Sequence, residues 1–181
     1  MSQLVPVFLT IHVLTAIVAF GPVFIFPLIA RMAAQEPQSG LFALRLTERL
    51  ERRIVIPAAL TMPVSGGLLV WSEQLDLAGS HWLVLAIGLY LVAITFALTI
   101  QMRTVDRMIE LASGLAAAGN ALPAGPGAAL ATPSELAASG SRYAGPAAEL
   151  AALGVRARNG GIFLMIMVVV IVSLMAGKPS I

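Results

Sequence analysis

The residues best equipped for chemistry in this chain are its two histidines, and both stand in or beside apolar sequence. His12 lies within VFLTIHVLTAIVAFGPVFIFPLIAR, a segment with no charged residue before Arg31, and His81 opens the run HWLVLAIGLYLVAITFALTI. A polar ring in lipid costs free energy unless its N–H and lone pair find partners, so an intramembrane histidine is a candidate site. Three uses compete for His12. As a neutral ring it hydrogen-bonds Thr15, Ser65 or a carbonyl freed near a proline, and knits helices together. As an axial ligand it holds haem b, or joins a histidine/methionine copper site, with His81 or Met175 as partner. As a proton relay it would need an acid or lysine beside it, and the apolar runs contain none.

The remaining candidates are sparse. Cysteine is absent, which excludes disulfides, thiolate metal sites, cysteine nucleophiles and iron–sulfur ligation. His81 with Trp82, and Trp71 across the loop, fit an interfacial aromatic belt. Glu73 and Asp76 in that loop are read as ordinary solvated acids. The glycines lack the spacing of a phosphate cradle. Ala16 and Ala19 share the His12 face and offer a small-residue surface for close packing, which directs His12 into a bundle.

These residues need elements to carry them. With 59% hydrophobic and 11% charged residues in 181, the composition is that of a membrane protein. A hydrocarbon core of about 30 Å takes roughly 20 apolar helical residues. Charge-free runs at about 4–30, 54–71, 82–100 and 160–177 meet that length, which predicts an all-α, four-helix membrane bundle. No basic residue precedes the first run, and its length exceeds an ordinary signal-peptide core, so it is expected to remain as the first span.

Of the eleven lysines and arginines, all except Lys178 flank or fill the first and third connections. The second connection, SEQLDLAGSH, has none. By the positive-inside rule both termini face outward, across a bacterial inner membrane, and no nucleic-acid partner is implied by the basic balance. The first connection, SGLFALRLTERLERR, has helical spacing and a Glu48/Arg52 pair four apart, so a cytoplasmic helix is expected to lead into the second span. Pro57, Pro63, Gly66 and Gly67 should bend that span, as Pro22 and Pro27 should bend the first; two bent helices can open a pocket between them. The third span is expected to continue as a helix through Gln101–Leu115. Residues 116–145 are rich in Ala, Gly and Pro and read as a flexible cytoplasmic linker, with a brief helix at TPSEL interrupted by Gly140, Gly145 and Pro146.

The segments IHVLTAIVAFGP, RRIVIPAALTMPVSGGLLVW, HWLVLAIGLYLVAITFAL and RNGGIFLMIMVVVIVSLMAGKP together resemble bacterial predicted integral membrane proteins grouped as domain of unknown function 2269. The telling parts are the histidine of the first span, Arg53-x-x-x-Pro57 and Met175-x-x-Lys178-Pro179. More distantly, the first-span histidine, the proline- and glycine-bearing second span and the Trp-Leu entry to the third are similar to the CopD copper-resistance and HemJ protoporphyrinogen-oxidase families. That resemblance implies a haem or copper site at His12. Val84 and Leu85 stand where the HemJ-like pattern has a lysine, which counts against protoporphyrinogen oxidation.

The expected function is therefore a non-catalytic membrane subunit or accessory protein, packed against a larger respiratory or redox complex or against itself. Its alternatives are a haem b or copper electron-transfer protein using His12, and a small transporter. The candidate ligands are His12, His81 and Met175; Arg53, Pro57, Pro63, Ser65, Gly66 and Gly67 are the expected packing and interaction residues.

Overall fold

In lipid, backbone N–H and C=O groups have no water to bond, so a spanning segment must satisfy them internally and becomes a helix. The computed structural model follows that rule. It describes residues 4–35, 39–76, 79–121 and 133–177, all of whose regular structure is helical. The helices are α1 (Val5–Gln35), α2 (Gly40–Leu50), α3 (Ile56–Glu73), α4 (His81–Phe96), α5 (Met102–Ala121) and α6 (Pro133–Gly177). A π turn, Glu51–Val55, joins α2 to α3 without a break, and another, Ala97–Gln101, joins α4 to α5. Four continuous rods result, each with a stretch long and apolar enough to cross a membrane.

The rods exceed the bilayer. The 34 residues of Gly40–Glu73 measure about 51 Å at 1.5 Å per residue, against a hydrocarbon core of about 30 Å. The apolar run of that rod ends at Ile54, so α2 and the charged start of the π turn stand beyond the hydrocarbon. Both π turns lie about 25 Å along their rods from the loop joining α3 to α4. They mark the level where the apolar runs give way to Arg-rich extensions. The first has a clear cause: Pro57 lacks an N–H and its ring crowds the carbonyl of Arg53, so the turn ahead of it widens. The Ile56 N–H accordingly bonds Glu51 O, five residues back.

At the other end α3 stops at Gln74, whose φ of 54° is left-handed. The Leu75 N–H bonds Val70 O and the Gln74 N–H bonds Trp71 O, a Schellman closure that satisfies two terminal carbonyls. The Gln74 side-chain amide also donates to Trp71 O at 2.7 Å.

Helix α1 packs on α3, and α4 on α6, while α1 also meets α6; in the extensions α2 packs on α5 and α5 on α6. The buried residues are mostly small or slender: Ala19, Ala59, Ala86 and Ala93 with Met62, Ser65, Met167 and Val168. Large side chains such as Leu14, Ile17, Val64 and Ile166 point outward. This inversion of the soluble pattern is expected where the solvent is lipid. Leucine gains nothing there by turning inward, and helices associate through close packing of small residues.

Arg-rich extensions are joined by ion pairs. Arg52 pairs with Glu48 one turn away and reaches across to both carboxylate oxygens of Asp106, at 2.7 and 2.8 Å. Arg107 bonds Glu110 at 2.8 Å and Glu149 of α6 at 2.9 Å. All these groups are solvent-accessible, so each pair contributes only about 0–1 kcal/mol, and their effect is to fix which helix faces hold together. Helix α6 differs from the expected pattern of a short helix and a break. It runs unbroken from Pro133 through Gly140, Gly145 and Pro146 to Gly177, because one proline removes a single donor while the alanine-rich neighbours favour helix. Of the expected linker, residues 122–132 lie outside the described residues, and the segments flanking them are helical.

Candidate functional site

His12 is half-buried on α1 and faces α3. Its Nδ1 lies 2.9 Å from Ser65 Oγ. The Ser65 hydroxyl in turn donates to Met62 O at 3.1 Å. The Ser65 hydroxyl thus stands between His12 Nδ1 and the Met62 carbonyl, and the direction of its contact with the ring follows the imidazole tautomer. No described residue hydrogen-bonds Nε2.

Glycine makes this approach feasible. A Cβ on Gly66 would stand 3.2 Å from His12 Cε1 and 3.7 Å from Nδ1, tighter than ordinary packing. Gly67 is different: it faces outward, with open space where a Cβ would go. The two proline-bearing helices thus close on one another at His12, where a pocket between them had been one expectation.

The other candidate residues sit at different levels. His12 lies about 10 Å from the start of α1 and Ser65 about 12 Å from the end of α3, so they share a depth. His81 is the exposed first residue of α4, and Met175 stands two residues before the end of α6. Both are nearer the membrane edge than His12. Lys178 and Pro179 lie outside the described residues. Arg53 and Pro57 are exposed at the entry to α3. Among the described residues no three His, Cys, Asp or Glu side chains gather as a metal site.

Pro63 has a partner that the sequence does not announce. Without an N–H, it leaves the carbonyl of Ala59, four residues earlier, lacking its helical donor. The Tyr90 hydroxyl of α4 donates to that oxygen at 2.6 Å. The proline that removes one bond within α3 is therefore matched by one between α3 and α4. A comparable contact ties the second π turn to α6, where the Gln101 amide donates to Ala157 O at 3.0 Å. A Cβ on Gly160 would press on the Gln101 amide oxygen and stand 3.3 Å from the Phe96 ring, so a larger residue there would displace the Gln101 side chain.

Glu51, in the first π turn, is a buried carboxyl in the extension. Burial pushes it up from 4.5 to about 7, opposed by Arg52 and reinforced by Asp106 and Glu48. A carboxyl held above its ordinary value binds its proton more tightly in the folded protein than in the unfolded chain. Folding stability should therefore fall as pH rises from about 4.5 to about 7, and stay level above. The drop is at most about 3 kcal/mol. Glu51→Gln should remove it; thermal unfolding of both proteins at pH 5 and pH 8 checks this, and an equal pH dependence in the two would exclude Glu51 as its source.

Four lipid-length helical rods, closed on one another by small residues and a few intramembrane hydrogen bonds, define a polytopic integral membrane protein. The chain belongs to the family of predicted integral membrane proteins grouped as domain of unknown function 2269, whose model matches residues 6–130. The match covers the first three spans and stops before the fourth. No curated protein and no solved structure matches the chain.

Proposed function

We propose that the protein is a non-catalytic subunit or accessory of a larger membrane complex, of the respiratory or redox kind, with its Arg-rich extensions in the cytoplasm and both termini outside. The outer face of α4 and the π turn that continues it carries this proposal. Gly88, Val92, Thr95 and Thr99 form one outward stripe, beside a hollow of about 420 Å³ lined by Leu91, Thr95 and Ile100 among others. The Thr99 hydroxyl is spent on Thr95 O at 2.6 Å, so the stripe is small without leaving that donor unmet. Such a surface lets another helix approach closely, which is how helices associate in lipid. The orientation rests on the arginines, ten of the eleven basic residues, at one end of the rods.

A photo-crosslinker at Thr95 in native membranes should capture a discrete membrane protein, and one at Val172 on α6 should not. Gly88→Leu should weaken that capture. Stoichiometric cofactor binding by the isolated protein, with turnover of a quinone or porphyrin, would overturn the accessory role.

The open Nε2 of His12 favours a second function, ligation of haem b or copper. Metal-binding histidines characteristically anchor one ring nitrogen through its N–H and present the other, and Ser65 Oγ, 2.9 Å from Nδ1, is placed to accept that N–H. His12 fits as one ligand, with His81 or Met175 proposed as the other. A reduced-minus-oxidised visible spectrum and metal analysis of the purified protein should show haem bands or copper that His12→Ala abolishes. A colourless, metal-free wild type leaves His12 as a packing residue.

A further inference from the structure

A second hollow, of about 540 Å³, lies between α4 and α6 at the level of the second π turn. Its floor is apolar: Phe96, Ile100, Val155 and Phe163 line it, with the rings of Phe96 and Phe163 4.9 Å apart at 59°. Arg156 and Asn159 line it as well. Arg156 lies four residues before Gly160, where the last charge-free run begins, so its helix position is about 6 Å outside the hydrocarbon. That is headgroup depth. Arg52 and Arg107 of the same end are each tied to two carboxylates; Arg156 is the charged residue of the groove's lining, and no described residue forms an ion pair or hydrogen bond with it. A lone cation at headgroup depth, above an aromatic and aliphatic floor, is complementary in both charge and polarity to one kind of molecule.

We propose that this groove is a binding site for an anionic phospholipid of the leaflet on the Arg-rich side. The Arg156 guanidinium takes the phosphate and Asn159 supplies a further donor, while one acyl chain lies along Phe96, Ile100 and Phe163. The site extends to α6, beyond the part of the chain matched by the family, and it does not depend on a partner subunit or on His12.

The test is native mass spectrometry of the detergent-purified chain with phosphatidylglycerol or phosphatidylcholine added at equal concentration. One phosphatidylglycerol should be retained about fivefold in preference, the discrimination that one interfacial arginine supplies. Arg156→Gln should reduce the preference to near unity, and Arg158→Gln, which removes the same charge from a residue of α6 outside the groove's lining, should leave it intact. Equal losses in both variants would show general charge attraction and overturn the site. A second measurement uses the wild type alone, so that it is independent of how any variant folds. A photoactivatable phosphatidylglycerol should label peptides containing Phe96 and residues 155–163; labelling spread evenly over the outward faces of all four rods would overturn the proposal. A preference for a neutral amphiphile over phosphatidylglycerol in the groove would overturn it too.

Discussion

Tyr90→Phe is expected to destabilise the bundle by about 1–3 kcal/mol, the cost of leaving a sequestered carbonyl without a donor. The oxygen concerned is that of Ala59, which Pro63 has deprived of its helical bond and which Tyr90 reaches at 2.6 Å. Ala59 is buried, and neither lipid nor a neighbouring apolar side chain can replace the hydroxyl. The cause can be isolated with a second substitution. Pro63→Ala restores an N–H four residues after Ala59, and in that background the carbonyl has its helical donor whether or not Tyr90 is present. Removing the hydroxyl should then cost well under 1 kcal/mol. The two substitutions are thus expected to be strongly non-additive, as read from unfolding midpoints of the four proteins in one detergent. Strict additivity would show that the Tyr90 bond does not compensate for the proline.

Gly66→Val should be the other large effect, at about 1–3 kcal/mol for overpacking a close helix contact. Even the first added carbon meets the His12 ring at 3.2 Å. The ring cannot swing away without giving up Ser65, so the variant should lose the His12–Ser65 bond together with stability. Gly67→Val provides the comparison, since the adjacent position has open space for a side chain. It should be close to neutral, with a small change from helix propensity. Adding His12→Ala to Gly66→Val should recover part of the loss by vacating the space. Equal costs at 66 and 67 would mean that His12 does not lie against Gly66. If the protein carries haem or copper on His12, Gly66→Val should also alter its spectrum, which Gly67→Val should not.

Some of this architecture is written locally. Glu48 and Arg52 are four apart on one helix, so their pairing follows from helical pitch, whereas the Asp106 carboxylate that completes the cluster is 54 residues from Arg52 and depends on how α2 meets α5. In the sequence Thr15, Ser65 and a proline-freed carbonyl are all open to His12, and only the rotation of each helix about its axis brings Ser65 within hydrogen-bonding distance. Tyr90 carries no signal of its own in the sequence comparable to that of the histidines. The available signal was the proline at 63, which frees the Ala59 carbonyl and requires a donor from somewhere. Gln101 and Arg156 lacked even that, because an amide or a lone arginine near a membrane edge is unremarkable until its neighbours are known.

The four membrane-length helices were legible in the sequence, because lipid thickness and backbone hydrogen bonding turn a charge-free run of sufficient length into a helix. It was likewise legible there that the arginines gather at one end, since antiparallel succession alternates the connections between the two membrane faces. Tertiary structure alone decided which polar groups meet: His12 with Ser65 over Gly66, Tyr90 with the carbonyl freed by Pro63, and Arg156 with an apolar groove instead of a carboxylate. The reason is that hydrophobicity in a bilayer specifies crossing but not neighbours. With apolar side chains equally at home against lipid and protein, the arrangement is set by close contact of small residues and by a few directional hydrogen bonds, and both depend on the rotation and spacing of whole helices.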